Sequence, residues 1–300
     1  MIFSPLVYSD NVTLLKTFKA NQLINDWKKN YNLDITSELK GHQEICLYQC
    51  NQTKIKFFAP FNVTGSSKLY EQLQKLDWYY MPDKWEYHVA LKDLIDCKQV
   101  IEIGAALGDF VKLGIELGLN IRGIELNETA VTTAQERSLP VERLDLQEAA
   151  NLYSESFEGV CSFQVLEHVS NPKDFINWSL QMLKPGGKLI FCVPNSESFL
   201  KYQYCLLDMP PHHMLQWSEY SFRALEKIFP MKIEKIIREP LASYHVLGYL
   251  TSYSNFFRSA SRLGKLLFNR YTLPVYEKFL NLGLRRVLIG QSLYVQFRKL

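Results

Sequence analysis

Five short apolar segments recur at regular intervals between residues 99 and 198 and predict the centre of the fold. They are VIEIGA, IRGIEL, VERLDL, VCSFQVL and KLIFCVPN, with segments of helical length between them. Because parallel strands need long crossovers, which are usually helices, this alternation predicts a parallel sheet covered by helices on both faces. Later in the chain, MKIEKIIRE and GQSLYVQFRKL predict a sixth strand and a last strand.

The segments around this core predict additions to it. A polar helical stretch runs from about Leu14 to Tyr31, and ICLYQC and KIKFFAP predict two short strands. Leucines at spacings of four and three predict a helix from Ser66, and Pro82 and Asp83 can start another. Residues 241–288 predict an insertion of one or two helices. We therefore divide the chain into an N-terminal extension with covering helices (1–98), a core (99–240), a helical insertion (241–288) and a final core strand (289–300).

Capping and turn residues support these boundaries. Asn171 is a predicted N-cap with Pro172 at the first helical position, and Ser218 is a predicted N-cap of a helix that reaches Phe229. The segment KPGG, with Gly186 at the third position, predicts a type II turn that leads into KLIFCVPN.

Composition limits the class of protein. A chain of 300 residues with 47% hydrophobic content can bury a large core, and six cysteines are too few for a disulfide scaffold. No apolar run reaches the roughly 18 residues of a membrane span, and the chain does not begin like a secretory signal. We expect a soluble, cytoplasmic protein. His42, Cys46 and Cys50 form only part of a zinc ligand set, so no metal site is predicted.

Charge is distributed unevenly along the chain. Residues 251–300 contain nine Lys or Arg against one acidic residue, Glu277, although the net charge of the whole chain is only +3. This excess indicates either an anionic partner, such as a phosphate-bearing molecule or a lipid surface, or a solvated helix face.

A small-residue turn follows the first core strand in VIEIGAALGDF. Gly104 and Gly108 are four residues apart, and small residues here let a ligand approach the backbone at the strand's carboxyl end. Ala106 stands where a third glycine would complete the turn. The next two strands end near Glu125 and Asp145, positions from which carboxylates can bind ribose hydroxyls and an adenine amino group.

Together these segments resemble the core of the class I S-adenosylmethionine-dependent methyltransferases. The matching segments are VIEIGAALG, GIEL, LDL, FEGVCSFQVLEHVSNP and LKPGGKLIFCVPN. The resemblance implies a doubly wound α/β fold with a seven-stranded, mostly parallel sheet of strand order 3-2-1-4-5-7-6, and S-adenosylmethionine as the cofactor.

The resemblance also implies a set of cofactor-binding residues. They are Glu102, Gly104, Ala105, Ala106 and Gly108 on the methionine side, Glu125 and Leu126 at the ribose, Asp145 and Leu146 at the adenine, and Gln164 below the sulfonium. We add Tyr80 and Trp85, whose rings can face a sulfonium cation. Such rings can equally pack the N-terminal region onto the core.

The predicted catalytic residues are His213 and His212, in the loop after the fifth strand. That loop follows a strand's carboxyl end, where α/β enzymes place substrate contacts, and we expect Pro210 and Pro211 to keep it extended. Either imidazole can accept the acceptor's proton or orient the acceptor. Alternatively, these histidines cap the helix at Ser218 or stack on Trp217. Glu167 and His168 are interpreted as structural residues at a helix start.

The resulting hypothesis is a methyltransferase that acts on an oxygen of a small molecule or saccharide, lipid-linked acceptors included, in preference to nitrogen or carbon. A catalytically inactive binding module stays open as the alternative. The glycine spacing argues against a dehydrogenase, and the core lacks the basic stripe of a nucleic-acid binder. The apolar stripe of residues 250–267 is expected to bury against the body or a second subunit in a homodimer, or to lie on an anionic membrane.

Overall fold

The computed structural model describes residues 1–76, 79 and 81–300. In the described residues the strands are β1 Val12–Lys19, β2 Glu44–Cys50, β3 Lys56–Ala59, β4 Val100–Ile103, β5 Ile121–Glu125, β6 Val141–Arg143, β7 Phe157–Phe163, β8 Leu183–Pro194, β9 Leu215–Gln216, β10 Met231–Pro240 and β11 Ile289–Lys299. The α-helices there are α1 Ala20–Tyr31, α2 Ser67–Leu73, α3 Trp85–Leu94, α4 Asp109–Glu116, α5 Glu128–Glu136, α6 Leu146–Leu152, α7 Pro172–Met182, α8 Glu219–Leu225, α9 Val246–Ala260, α10 Arg262–Leu267 and α11 Thr272–Asn281.

The central sheet has seven strands in the order β10-β11-β8-β7-β4-β5-β6. Pairing is parallel from β8 through β7, β4 and β5 to β6, whereas β11 lies antiparallel to both β8 and β10. Counted along the core, this is the predicted order 3-2-1-4-5-7-6. The predicted α/β fold class is therefore confirmed.

Burial explains why the core strands read as continuous apolar segments. Every residue of β4 is buried, since helices cover both faces of the sheet. The predicted caps are also present: the Asn171 side chain accepts a hydrogen bond from the backbone N–H of Asp174, and Ser218 forms a capping box with Ser221. β8 begins at Leu183, five residues before the predicted start, so the turn at Gly186 lies within it.

The N-terminal region differs from its prediction. Residues expected to open a helix at Leu14 instead form β1, and α1 begins only at Ala20. β1 pairs antiparallel with β2 in a second sheet of order β1-β2-β3-β9. Pairing with a strand distant in sequence therefore decides the structure of residues 12–19, which are mostly exposed and carry little hydrophobic pattern.

The insertion contains three α-helices, α9 to α11, where one or two were predicted. Its small core joins Val246, Leu250 and Leu280 to Phe199 and Leu200 of the loop after β8. The predicted stripe is only partly buried: Leu250 is 6% exposed, whereas Phe257 and Leu267 are 39% and 45% exposed. The division of the chain into four segments stays a prediction.

Candidate functional site

A cavity of about 930 Å³ lies at the carboxyl ends of the parallel strands. Ligand sites in proteins span about 300–1,000 Å³, so the cavity has room for a cofactor and a second molecule. Residues at the end of, or directly after, each of the five parallel strands line it, namely Gly104, Ala105, Ala106, Leu126, Asn127, Asp145, Leu146, Gln164, Val165 and Pro194. The topology thus brings together segments that lie far apart in the sequence.

The turn after β4 takes the backbone through left-handed conformations. Gly104 has φ +76°, and a Cβ atom there would lie 2.5 Å from Cγ2 of Val165, so only glycine fits without a shift. Ala106 has φ +45°. The turn forms although Ala106 carries a methyl group in place of a glycine hydrogen. Gly108, at φ +78°, is the N-cap of α4 and is not among the described residues that line the cavity.

Glu125 fixes the shape of this turn. One carboxylate oxygen accepts a hydrogen bond from the backbone N–H of Ala106 at 3.0 Å, and the other accepts from the N–H groups of Leu126 and Asn127 at 2.8 Å. A carboxylate has about four acceptor positions, so these three hydrogen bonds leave room for a ligand hydroxyl.

Glu102 has a different position from the one predicted. It is 2% exposed, is not among the described residues that line the cavity, and its Oε2 has no hydrogen-bond partner among them. Burial raises the pKa of this carboxyl group well above its usual range, and the nearby charges of Glu125 and Asp109 raise it further. The side chain lies within the protein beneath the turn, and direct contact with a ligand in the cavity is not supported.

The other predicted cofactor residues divide into two groups. Asp145, Leu146 and Gln164 line the cavity; Asp145 also caps α6, and Gln164 donates a hydrogen bond to Glu86 at 3.1 Å. Trp85 instead packs edge-on against Tyr294 and is not among the described lining residues, so the alternative packing interpretation fits it better. Tyr80 lies outside the described residues. Lining residues that sequence reasoning did not assign include Met81, Lys84, Glu86, Asn127, Phe163 and Val165.

Three histidines, His168, His212 and His213, lie close together on another part of the cavity wall. We call these three residues, together with Glu167 and Asp208, the histidine side. The rings of His212 and His213 stack at 4.5 Å, and the ring of His168 lies edge-on to both. Glu167 is 1% exposed, and neither of its carboxylate oxygens has a hydrogen-bond partner in the described part of the chain.

Burial shifts the ionisation of every group on this side. It lowers the pKa of His168 to about 4 and the pKa values of His212 and His213 well below their usual range. It raises the pKa of Glu167 to about 8 and that of Asp208 to about 7. The imidazoles are therefore neutral at neutral pH, with one nitrogen lone pair each.

Three expectations about these residues are wrong. Glu167 and His168 do not start a helix, because α7 begins only at Pro172. The PPHH segment forms a turn rather than an extended stretch, since the backbone N–H groups of His212 and His213 both donate to Met209 O at 3.1 Å. Trp217 stacks on Phe222 instead of on a histidine. The signal that would have revealed Glu167 is its position directly after β7, at the same sheet edge as the glycine turn.

Comparison with known proteins agrees with this architecture. A family model described as a methyltransferase domain matches residues 51–238, well over half of the chain. Ubiquinone biosynthesis O-methyltransferases of Idiomarina loihiensis and Alkalilimnicola ehrlichii are 29% and 22% identical over 126 and 157 residues. The matches cover 40% and 48% of this chain and 51% and 60% of those proteins, so the chain spans about half the length of these relatives.

Solved structures with a similar fold include two S-adenosylmethionine-dependent methyltransferases. The Mesorhizobium loti structure is 15% identical with a TM-score of 0.47, over 73% of this chain and 100% of its own. The Archaeoglobus fulgidus structure is 17% identical with a TM-score of 0.46, over 71% of this chain and 94% of its own. On the match to the family model, the chain belongs to the methyltransferase-domain family, whose cofactor is S-adenosylmethionine.

Proposed function

We propose that this protein transfers a methyl group from S-adenosylmethionine to an oxygen atom of a small molecule. The observation that carries the proposal is one cavity whose wall joins the predicted cofactor residues after β4 to β7 to a cluster of neutral imidazoles. The names of the two ubiquinone biosynthesis O-methyltransferases support oxygen as the accepting atom. The cavity volume supports simultaneous binding of cofactor and acceptor.

S-adenosylmethionine would be bound by the turn after β4 and by the acidic residues at the ends of the next two strands. Small residues at 104–106 let a ligand approach the backbone, and Glu125 has a free acceptor position for a ribose hydroxyl. Asp145 and Leu146 line the cavity and would hold the adenine ring, and Gln164, which also lines it, follows β7. When bound, S-adenosylmethionine supplies an electrophilic methyl group on a sulfonium.

The chain's own residues on the acceptor side would orient the acceptor and manage its proton. An acceptor hydroxyl would have to lose its proton during methyl transfer, and the neutral Nε2 of His213 or His212 would be positioned to accept it. His212 and His213 are 6% and 7% exposed, so bulk water has little access to their rings.

Calorimetry and turnover test this proposal in two steps. S-adenosylmethionine and S-adenosylhomocysteine should both release or absorb heat on binding, and NAD should not. Mass spectrometry of phenols, saccharides and lipid-linked hydroxyl compounds incubated with the protein and S-adenosylmethionine then detects a product heavier by one methylene unit. Absence of cofactor binding by folded protein would contradict the proposal, and binding without turnover on any acceptor would favour the inactive binding module. Full turnover in both His212→Ala and His213→Ala would contradict the catalytic role of these histidines.

The insertion supports a more specific proposal, contact with an anionic membrane. In the short helix α10, Leu263, Leu266 and Leu267 are 62%, 69% and 45% exposed, and in α11 Phe279 is 57% exposed. Residues 241–288 also contain seven Lys or Arg and one acidic residue. Outward apolar side chains beside basic ones match the surface of an anionic bilayer. None of the helices in the described ranges has the length and apolarity to cross a membrane.

The same insertion reaches the cavity. Tyr244, His245 and Gly248, at the start of α9, are among the lining residues. If α10 and α11 lie on a bilayer, α9 beside them forms part of the cavity wall. This arrangement would suit an amphiphilic acceptor, which could enter the cavity from the membrane surface. We therefore favour a lipid-linked acceptor over a freely diffusing saccharide.

Vesicle sedimentation tests the membrane contact. The protein should pellet with phosphatidylglycerol vesicles at low salt and less with phosphatidylcholine vesicles. Leu263→Glu and Leu266→Glu should each reduce the pelleted fraction, whereas Leu152→Glu, which changes a 65% exposed leucine of α6, should not. Equal pelleting of all variants, or dimerisation through α10 and α11 without vesicle binding, would contradict the membrane contact.

A further inference from the structure

The three imidazoles of the histidine side are arranged as a ligand set. One ring nitrogen from each of His168, His212 and His213 lies within 4.8 Å of a ring nitrogen of the other two. In a tetrahedral site with metal–nitrogen bonds of about 2.0–2.1 Å, two ligand nitrogens lie about 3.3 Å apart. A cation would therefore draw these nitrogens together by up to about 1.5 Å, a movement within the reach of side-chain rotation.

The hydrogen bonds of the three rings indicate which nitrogen of each ring carries the proton. Nδ1 of His168 lies 2.6 Å from the carbonyl oxygen of His212, and Nδ1 of His212 lies 2.8 Å from that of Leu207. Nδ1 of His213 lies 3.2 Å from a carboxylate oxygen of Asp208. Carbonyl and carboxylate oxygens can only accept, so in each neutral ring the proton is on Nδ1 and the lone pair is on Nε2. Histidines that ligate a metal through Nε2 have this same outer hydrogen bond.

Glu167 adds an oxygen ligand, whose carboxyl group loses its proton when it binds a cation. Its Oε1 lies 3.9 Å from Nε2 of His213 and 4.0 Å from Nε2 of His168, too far for hydrogen bonds. Both carboxylate oxygens are buried without a hydrogen-bond partner among the described residues. A buried carboxylate normally has partners, because its desolvation is unfavourable. Its separation from these two nitrogens exceeds the roughly 3.3 Å between two ligand atoms of a tetrahedral cation by about 0.6–0.7 Å, so a small side-chain movement would let them share one cation.

We propose that His168, His212, His213 and Glu167 bind a divalent transition-metal cation in the wall of the cavity. Three imidazole nitrogens and one carboxylate oxygen suit Zn²⁺, Fe²⁺ or Co²⁺ better than Mg²⁺, which prefers oxygen ligands and retained water. Asp208 holds His213 in position and is not itself a ligand. The hydroxyl of Tyr79, 2.9 Å from Nε2 of His212, would give up its hydrogen bond to that nitrogen.

The site has a consequence for the acceptor that rests on the proposed function. A cation in the cavity wall would bind an acceptor hydroxyl and lower its pKa, so that the proton is released to solvent as the oxygen binds. His213 would then act through the cation rather than as the proton acceptor. The expected substrates are compounds whose methylated oxygen can bind a metal, such as phenols and enols.

Metal titration tests the proposal directly. The full chain is freed of metal with EDTA, exchanged into metal-free buffer and titrated with Zn²⁺ by calorimetry. We expect one Zn²⁺ per chain, and titration with Co²⁺ should give visible absorption bands typical of nitrogen and oxygen ligands. His168→Ala, His213→Ala and Glu167→Gln should each weaken Zn²⁺ binding at least about 10-fold.

Control variants separate this site from general histidine binding. His42→Ala removes a histidine whose Nε2 pairs with Asn62, outside the site, and should leave Zn²⁺ affinity unchanged. Because the buried histidine variants could fail to fold, Glu167→Gln keeps the side-chain shape and carries the test, with circular dichroism as the check on folding. No stoichiometric Zn²⁺ binding by the wild type, or wild-type affinity in Glu167→Gln, overturns the proposal.

Cofactor binding distinguishes this proposal from the proposed function. Metal-free protein should still bind S-adenosylhomocysteine, since the predicted cofactor residues are separate from the metal ligands. Protein that binds the cofactor but no Zn²⁺ overturns the metal site alone. Protein that binds Zn²⁺ but no cofactor overturns the proposed function alone.

Discussion

The strand-end side of the cavity consists of the turn after β4 and Glu125, and three backbone N–H groups there donate to the carboxylate of Glu125. On the histidine side, by contrast, the carboxylate of Glu167 has no hydrogen-bond partner among the described residues. The first carboxylate belongs to one local turn and its neighbouring strand. The second is surrounded by side chains from segments more than 40 residues apart in the chain. The protein itself satisfies the carboxylate of Glu125 and so fixes the shape of the turn, whereas the unpaired carboxylate of Glu167 lines the cavity and can bind a ligand.

Each side also responds differently to substitution. Changes at the strand-end side should alter the backbone and therefore both folding and cofactor affinity. Changes at the histidine side should alter ligand binding with less effect on the backbone, because the side chains of His168 and His212 each bond to one backbone carbonyl and do not shape a left-handed turn. The following variants test that difference, beginning with the largest expected effect.

Gly104→Ala should have the largest effect. The left-handed backbone disfavours alanine by about 1–2 kcal/mol, and the contact with Val165 adds about 1–3 kcal/mol of overpacking. We expect a loss of about 2–5 kcal/mol in the free energy of unfolding, with weaker cofactor binding. Gly118→Ala is the matched control, because Gly118 has φ +82° with no atom within 4 Å of the added Cβ. Urea denaturation that shows equal losses for the two variants would contradict this account.

Glu125→Gln should come next. The amide replaces one acceptor oxygen by a donor that faces backbone N–H groups, and hydrogen bonds to a charged group contribute about 1.5–3 kcal/mol. Unfolding free energy and S-adenosylhomocysteine affinity should both fall. Glu128→Gln changes a neighbouring acid whose side chain is 73% exposed and should have little effect. Full cofactor affinity in Glu125→Gln would show that the turn does not form the cofactor site.

Asp208→Asn should change the histidine side alone. Asp208 accepts hydrogen bonds from Nδ1 of His213 and from Nε2 of Gln216, and an amide can satisfy only one of them. Loss of such an outer hydrogen bond typically weakens metal binding by about 10–100-fold. We expect that decrease in Zn²⁺ titrations, with S-adenosylhomocysteine affinity within about twofold of the wild type. A parallel loss of cofactor affinity would mean that the two sides are not separate. Asp34→Asn, at an exposed turn, is the control.

The difference between the two sides also decides what the sequence can predict. The strand order is implied by the resemblance to the methyltransferases, whereas the alternation of apolar and helical segments predicts only a parallel sheet covered by helices. Caps such as Asn171 and Ser218 follow from residue type and spacing, and the turn after β4 is equally local. The alternation, the caps and the turn depend on neighbours in the chain, so one sequence contains their whole signal.

Features that depend on distant contacts could not be predicted. β1 forms because β2 pairs with it, and nothing in residues 12–19 indicates that partner. Glu167 lies beside His212 and His213 because β7 and β8 are adjacent and the loop after β8 folds back toward the end of β7. The backbone N–H groups of Met214 and Leu215, which follow the two histidines, donate to the carbonyl oxygen of Glu167. Sequence position placed Glu102 beside the turn but could not show that its side chain is buried beneath it.

Glu102 provides a test by pH. Its pKa is raised in the folded state, so its contribution to stability is fully present below the unfolded pKa near 4.5 and is lost as pH rises toward the folded pKa. Glu102→Gln removes that loss. Relative to wild type, the variant should gain up to about 1.4 kcal/mol for each pH unit in this window. The positive charge of Lys84 lowers the pKa of Glu102, whereas the negative charges of Glu125 and Asp109 raise it. Denaturation curves at several pH values that stay parallel for the two proteins would show that Glu102 is ionised or well hydrogen-bonded in the native state.

Ala106→Gly should have the smallest effect and sharpens the view of the turn. Glycine relieves the left-handed strain at φ +45°, which favours the native state by about 1 kcal/mol. It also adds conformational freedom to the unfolded chain, which offsets about 0.4–1 kcal/mol of that gain. The net change in unfolding free energy should therefore be below about 1 kcal/mol, and S-adenosylhomocysteine affinity should stay within a few-fold. A large gain in cofactor affinity would show that the methyl group of Ala106 blocks the turn, and would favour the inactive binding module over the methyltransferase.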